Sequence, residues 1–232
     1  MWKEATEQVE IGLLQAPSEL TYQNSYELKG KNSNAAFRFG VNQSDKIRAC
    51  DDLKHSRTNE ACRVATPIEL VTWEHVAELC RMVVDKKRSW GFFKADHASA
   101  YKQLPIGPNQ AGYAIAAPKS PLDGKRYGFM PNSLMFGSAA SVIHYNVFSR
   151  ILVELVNGIS GIHTVGYFDD FGGFAPIELT REALGIFSEF CEILGIELKI
   201  TKSERGNGSS FRDTGLSPLW SKSRKTPRDI NR

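Results

Sequence analysis

The sequence predicts an α+β fold built on an antiparallel sheet, on three observations. Several short apolar segments are joined by tight polar turns, as expected of strands that pair through hairpins. Longer segments with apolar residues at helical spacing stand between some of them. A chain of 232 residues with 41% hydrophobic and 24% charged content can also bury a sizeable core without staples.

The elements follow in chain order. Residues 1–36 are polar and turn-rich, above all Lys29-Gly30-Lys31-Asn32-Ser33-Asn34, and predict a loosely packed lead-in. A helix is expected to start at Thr66-Pro67-Ile68-Glu69, with Thr66 as cap, Pro67 in the first turn and Glu69 closing a capping box. Its continuation sets Val76, Leu79, Cys80 and Val83 at helical spacing. Residues 90–96 read as a buried strand ending in an acid. Segments 113–117 and 126–130 flank Pro121-Leu122-Asp123-Gly124, a hairpin signal.

A second helix is expected over 138–156, with Val142, Tyr145, Phe148, Leu152 and Leu155 on one face and Gly158 as its stop. Residues 163–174 read as two short strands joined at Phe168-Asp169-Asp170. Thr180 is expected to cap a last helix that turns Leu184, Phe187, Cys191 and Leu194 inward and ends at Gly195. A final strand is expected over 196–200, and no packed element from Gly206 onward.

Composition narrows the function classes. A mean hydropathy of −0.31 excludes collagen-like, mucin-like and wholly disordered chains. The longest apolar stretches, such as 151–156, are too short to span a bilayer, and the first residues lack a signal-peptide pattern, so no membrane partner is expected. Cys50, Cys62, Cys80 and Cys191 are widely spaced, which predicts reduced thiols in an intracellular protein, cytoplasmic or nuclear. The net charge of +3 is uneven: residues 199–232 hold nine Lys/Arg against three Asp/Glu, leaving −3 for residues 1–198. A polyanion-binding tail and a solvated end account for that equally well.

The chemistry rests on acids. An Asp-Asp pair arises by chance about once in a chain this long, and this chain has two. Asp51-Asp52, flanked by Arg48, Lys54, His55 and Arg57, reads as a turn with surface ion pairs. Asp169-Asp170 lies between Val165-Gly166-Tyr167-Phe168 and Phe171-Gly172-Gly173-Phe174. Two adjacent carboxylates between apolar strands are costly unless a cation shares them. Asp96, at the end of a buried strand, is the natural third donor. Hard carboxylate oxygens suit Mg²⁺ or Mn²⁺, and two ions about 4 Å apart activate a hydroxyl and stabilise a leaving phosphate. Satisfied turn carboxylates are the alternative, and spacing alone does not separate the two.

Tyr167-Phe168-Asp169-Asp170 resembles the Y-x-D-D hairpin of reverse transcriptases. Phe93-Lys94-Ala95-Asp96-His97-Ala98-Ser99-Ala100-Tyr101-Lys102-Gln103-Leu104-Pro105 resembles the first catalytic segment of that family. Residues 134–141, built around Phe136-Gly137, are similar to its template-contacting segment, although Met135 stands where the family has proline. Leu194-Gly195-Ile196 with Lys202 is similar to the segment that follows. Arg38-Phe39-Gly40-Val41 and the run from Lys46 to Lys54, with Ser56 and Asn59, resemble the fingers of retroelement enzymes. The five segments occur in family order over residues 38–204.

The resemblance implies a right-hand polymerase. Its parts would be a polar lead-in (1–40), fingers (41–66 and 108–140), an antiparallel palm sheet packed on helices (67–107 and 141–205) and a basic, disordered tail (206–232). Beyond Lys202 only Thr214-Gly215-Leu216 is faintly similar to a primer-grip turn, so a missing thumb is expected. Asp96, Asp169 and Asp170 would be the catalytic residues and hold two Mg²⁺ or Mn²⁺ ions. Lys46, Arg48, Tyr101, Phe136, Gly137 and Lys202 would bind the nucleotide, and Tyr167 and Phe168 would meet primer or template. Lys46 and Arg48 suit triphosphate oxygens. The ring of Tyr101, five residues after Asp96, would block a 2′-hydroxyl. The expected activity is RNA-directed DNA synthesis, adding dNTPs to a primer on an RNA or DNA template. The alternatives are an inactive remnant that at most binds nucleic acid, and an RNA polymerase, which Tyr101 disfavours.

Overall fold

The computed structural model describes residues 1–20, 34–43, 46–62, 68–84, 89–199 and 204–207. These form a mixed α/β structure with antiparallel and mixed sheets, divided into two units. The first unit is Met1–Glu69 with Ser99–Phe148, and the second is Leu70–Ala98 with Ser149–Arg232. The Thr66-Pro67 cap, Lys202 and the tail from 208 onward lie outside the described residues.

The first unit opens with helix α1 (Trp2–Glu10), which the polar composition of the lead-in concealed. Its apolar residues Trp2, Ala5 and Val9 recur at helical spacing between charged ones. Ala5 is fully buried, and Trp2 packs edge-on against Tyr127 and Phe129 at 5.2 and 5.5 Å. The expectation of a loose lead-in is therefore corrected for this stretch. Strand β1 (Ser18–Glu19) pairs with β6 (Tyr127–Gly128). Strands β2 (Ala35–Gln43) and β3 (Lys46–Asp51) form an antiparallel hairpin, and β5 (Ile115–Ala117) joins β2 in parallel.

The hairpin signal at 121–124 corresponds to isolated antiparallel bridges between Ala116 and Phe129 and between Lys119 and Arg126. Two short helices, α2 (Thr58–Ala61) and α4 (Pro108–Ala111), lie in the loops of this unit.

The second unit is built on a four-stranded antiparallel sheet in the order β7 (His163–Tyr167), β8 (Asp170–Pro176), β4 (Trp90–Asp96), β9 (Glu204–Asn207). Alternation places Phe93 and Ala95 of β4 on one face, where both are fully buried. Helix α6 (Thr180–Ile193) packs against β4 and β8, with Phe187 5.9 Å from Phe93 and 5.3 Å from Phe171. The paired glycines of β8 have a packing cause. Gly173 lies directly opposite Phe93, and a Cβ there would collide with the Phe93 ring.

Several boundaries differ from expectation. Helix α3 begins at Trp73 and runs to Val84, seven residues past the Thr66 signal. Helix α5 (Ala139–Ser160) continues through Gly158 and stops at Gly161, whose φ of +69° suits glycine. It buries Tyr145, Leu152 and Val156, while Leu155 is exposed. By length and composition α5 could cross a bilayer, which consecutive apolar runs did not reveal; Ser141, Asn146 and Ser149 are nonetheless buried along it. Helix α6 turns Ala183, Phe187 and Cys191 inward and leaves Leu194 exposed, and Gly195 ends it at φ +71°.

The expected strand over 196–200 is a single bridge between His97 and Leu198. Residues 204–207, where the reading of the tail expected no packed element from Gly206, pair with β4 as β9.

Candidate functional site

The acids singled out in the sequence lie at one end of the four-stranded sheet. Strand β4 ends at Asp96, which pairs directly across the ladder with Asp170, the first residue of β8. The β7–β8 turn is tight because Tyr167 pairs with Asp170, leaving Phe168 and Asp169 as its two loop residues. Phe168 adopts φ +54°, a conformation that costs a bulky residue about 1 kcal/mol or more. A hairpin loop this short needs a positive φ, and the sequence supplies no glycine there.

Backbone bonds tie the acid-bearing segments together. The His97 N–H donates to the Asp169 carbonyl at 3.4 Å, and the Lys199 N–H donates to the Asp96 carbonyl at 2.7 Å. The His97 ring is buried against Phe171 at 4.5 Å, with its Nε2 3.7 Å from Cys191 Sγ on α6. Burial pulls the His97 imidazole down to about 4, against the opposing pull of the Asp96 charge. Burial pushes the Cys191 thiol up to about 12. His97 therefore sits as a neutral ring beneath the hairpin.

The carboxylates differ in exposure. Asp96 is buried, Asp169 is half-buried and Asp170 is exposed. Asp170 Oδ1 faces Lys94 Nζ at 3.3 Å. Among the described residues no three His, Cys, Asp or Glu side chains converge as metal ligands would. The donor chemistry still fits a hard divalent cation, since Asp96, Asp169 and Asp170 offer carboxylate oxygens at one sheet end. Sequence reasoning passed over Lys94. Its two-residue spacing from Asp96 on a strand was the available signal, because it sets both residues on one face.

The residues expected at the nucleotide are divided. In the first unit, Tyr101 lies in a 3₁₀ turn at Ala100–Gln103, its ring 6.0 Å from Phe136 and 4.9 Å from Tyr145. Phe136 is half exposed, and Gly137 follows it at φ +89°. Asn59 secures this bend from 78 positions away: its Nδ2 donates to the Gly137 carbonyl at 3.0 Å, and its Oδ1 accepts the Ala139 N–H of α5 at 2.8 Å. Arg48 is exposed on β3, opposite Val41; Lys46 starts that strand opposite Gln43, and Lys202 lies outside the described residues. At the β7–β8 turn Tyr167 is exposed, its ring 5.0 Å edge-on from Phe168.

The other Asp-Asp pair is not the surface turn expected of it. Asp51 receives two bonds from Arg38, Nε to Oδ1 and Nη2 to Oδ2, both at 2.9 Å, and both side chains are buried. Arg38 Nη1 also donates to Gln8 Oε1 at 3.1 Å. Only Asp52 serves the turn, accepting the His55 N–H at 2.8 Å. No protein-family model matches the chain, and no curated protein is significantly similar to it.

Proposed function

We propose that this chain is a reverse-transcriptase-type polymerase core that adds deoxynucleotides to a primer 3′-hydroxyl under the direction of an RNA or DNA template. One observation carries the reading: Asp96 and Asp170 are direct partners across β4 and β8, with Asp169 in the adjoining two-residue loop. Acids from sequence positions so far apart share one sheet end, as the resemblance to the Y-x-D-D family requires. Bound there, two Mg²⁺ or Mn²⁺ ions supply hydroxyl activation and charge stabilisation.

On this reading Asp96, Asp169 and Asp170 hold the ions. Arg48, with Lys46 and Lys202, binds triphosphate oxygens, for which guanidinium and ammonium groups are matched donors. Tyr101 excludes a 2′-hydroxyl with a ring steadied by Tyr145 and Phe136. Phe136 and Gly137 shape the nucleotide side of the bend that Asn59 secures, and Tyr167 and Phe168 meet primer or template. Fingers over 41–66 and 108–140 and a palm over 67–107 and 141–205 remain the proposed organisation.

A second reading, an inactive remnant that binds nucleic acid, is favoured by the Asp170–Lys94 pair and by the separation of the three side chains. The full chain, given a primed RNA template, dNTPs and Mg²⁺ or Mn²⁺, separates the two. Template-dependent extension supports the polymerase. Binding of the primed template without extension in either metal supports the remnant.

A further inference from the structure

We infer that Lys94 is an internal counter-cation for the acid-bearing sheet end, one that a divalent ion must displace from Asp170, so that Lys94 sets the metal affinity of the site. The inference rests on the reading of Asp96, Asp169 and Asp170 as metal-holding carboxylates.

The sheet brings these groups together. Lys94 precedes Asp96 by two residues on β4, so both occupy one face. Asp96 is the direct partner of Asp170, so Lys94 reaches Asp170 along the ladder diagonal. Its Nζ stands 3.3 Å from Asp170 Oδ1. The register partner of Lys94 on β8 is Gly172, which presents no side chain at that position.

Two carboxylates directly opposed across a ladder repel each other. A lysine beside them lets the hairpin close before any metal arrives. The lysine and Asp170 side chains are 34% and 50% exposed, so the ammonium can return to water at small cost. A fully buried pair would resist separation, whereas this one is built to exchange. A divalent ion then competes with a cation tethered to the same strand as its ligand.

The test is Mn²⁺ binding to the full chain, with the metal alone, followed by the electron paramagnetic resonance signal of free Mn²⁺ at low ionic strength. Lys94→Met should bind roughly two- to fivefold tighter than wild type, the range expected when a partly exposed ion pair is removed. Lys94→Arg should match wild type, and added salt should narrow the gap between wild type and Lys94→Met. Lys119→Met, which removes an exposed lysine of the first unit, should change nothing. Equal affinities for wild type and Lys94→Met would overturn the inference, as would an equal gain in Lys119→Met. Should Lys94→Met fail to fold, Lys94→Gln makes the same charge change. Folded protein that retains no Mn²⁺ in any of these forms overturns the metal-site reading itself, and the inference with it.

Discussion

Asp96 and Asp170 face each other as direct partners across β4 and β8, although 74 positions separate them in the chain. Like charges so placed destabilise a ladder unless a cation lies between or beside them. Here Lys94 supplies one, 3.3 Å from Asp170. On the proposed reading, a divalent ion would relieve the same repulsion that Lys94 offsets here.

Asn59 should prove a stability residue out of proportion to its place in a loop. Its side chain bonds the Gly137 carbonyl and the Ala139 N–H. Asn59→Ala loses both and leaves α5 without that cap, so urea unfolding should show a loss of about 2 kcal/mol. Asn59→Asp keeps the acceptor for Ala139 and should recover roughly half of it. A loss in Asn59→Ala too small to measure would show that the bend holds itself.

His97 should make stability fall with acid. Its folded value lies near 4, well below the ordinary 6.5, because burial disfavours the charged ring. Below pH 6.5 the unfolded chain takes up a proton that the folded chain refuses. The contribution is therefore full above pH 6.5 and drains as pH falls from 6.5 to 4, by at most about 3 kcal/mol. Unfolding titrations at pH 7.5, 6, 5 and 4.5 should show a steeper decline in wild type than in His97→Gln. Equal slopes would contradict the buried neutral ring.

The hairpin of β7 and β8 was legible because apolar residues flank Asp169-Asp170 on both sides, and its signal is local. Helix α6 and its glycine stop were legible for the same reason. Helix α1 was not, because charged residues separate Trp2, Ala5 and Val9 and mask their spacing. The parallel pairing of β2 with β5 joins segments some 80 residues apart and leaves no local mark. Strand β9 hides in Glu, Gly and Asn, residues that rarely favour strands, and β4 supplies its ladder partner. At the site, Asp96, Asp169 and Asp170 were readable as acids in context. The burial of Asp51 against Arg38 was not, since Arg38 lies 13 residues away on another strand.

Sugar selection should depend on the ring of Tyr101. That ring rests on Tyr145 and lies edge-on to Phe136, so its position is defined by packing. Tyr101→Ala should admit ribonucleotides, and Tyr101→Phe should still exclude them, because exclusion is steric and needs no hydroxyl. Competing dNTP and rNTP incorporation on one primed template, with folding checked by circular dichroism, measures this. Wild-type protein that uses both sugars equally would remove Tyr101 from this role and favour RNA synthesis.

The acids at the end of β4 and in the β7–β8 turn are proposed to perform template-directed synthesis. Primer extension on an RNA template with dNTPs and Mg²⁺ or Mn²⁺ tests it most directly when wild type is compared with Asp96→Asn and Asp169→Asn. Each change removes a charge and little volume, so the fold should survive. Each should also lower extension by at least about a hundredfold, the scale of losing one electrostatic stabiliser at a reacting phosphate. Extension by wild type and its loss in both variants is the expected result. Extension at wild-type rates in either folded variant would contradict the account.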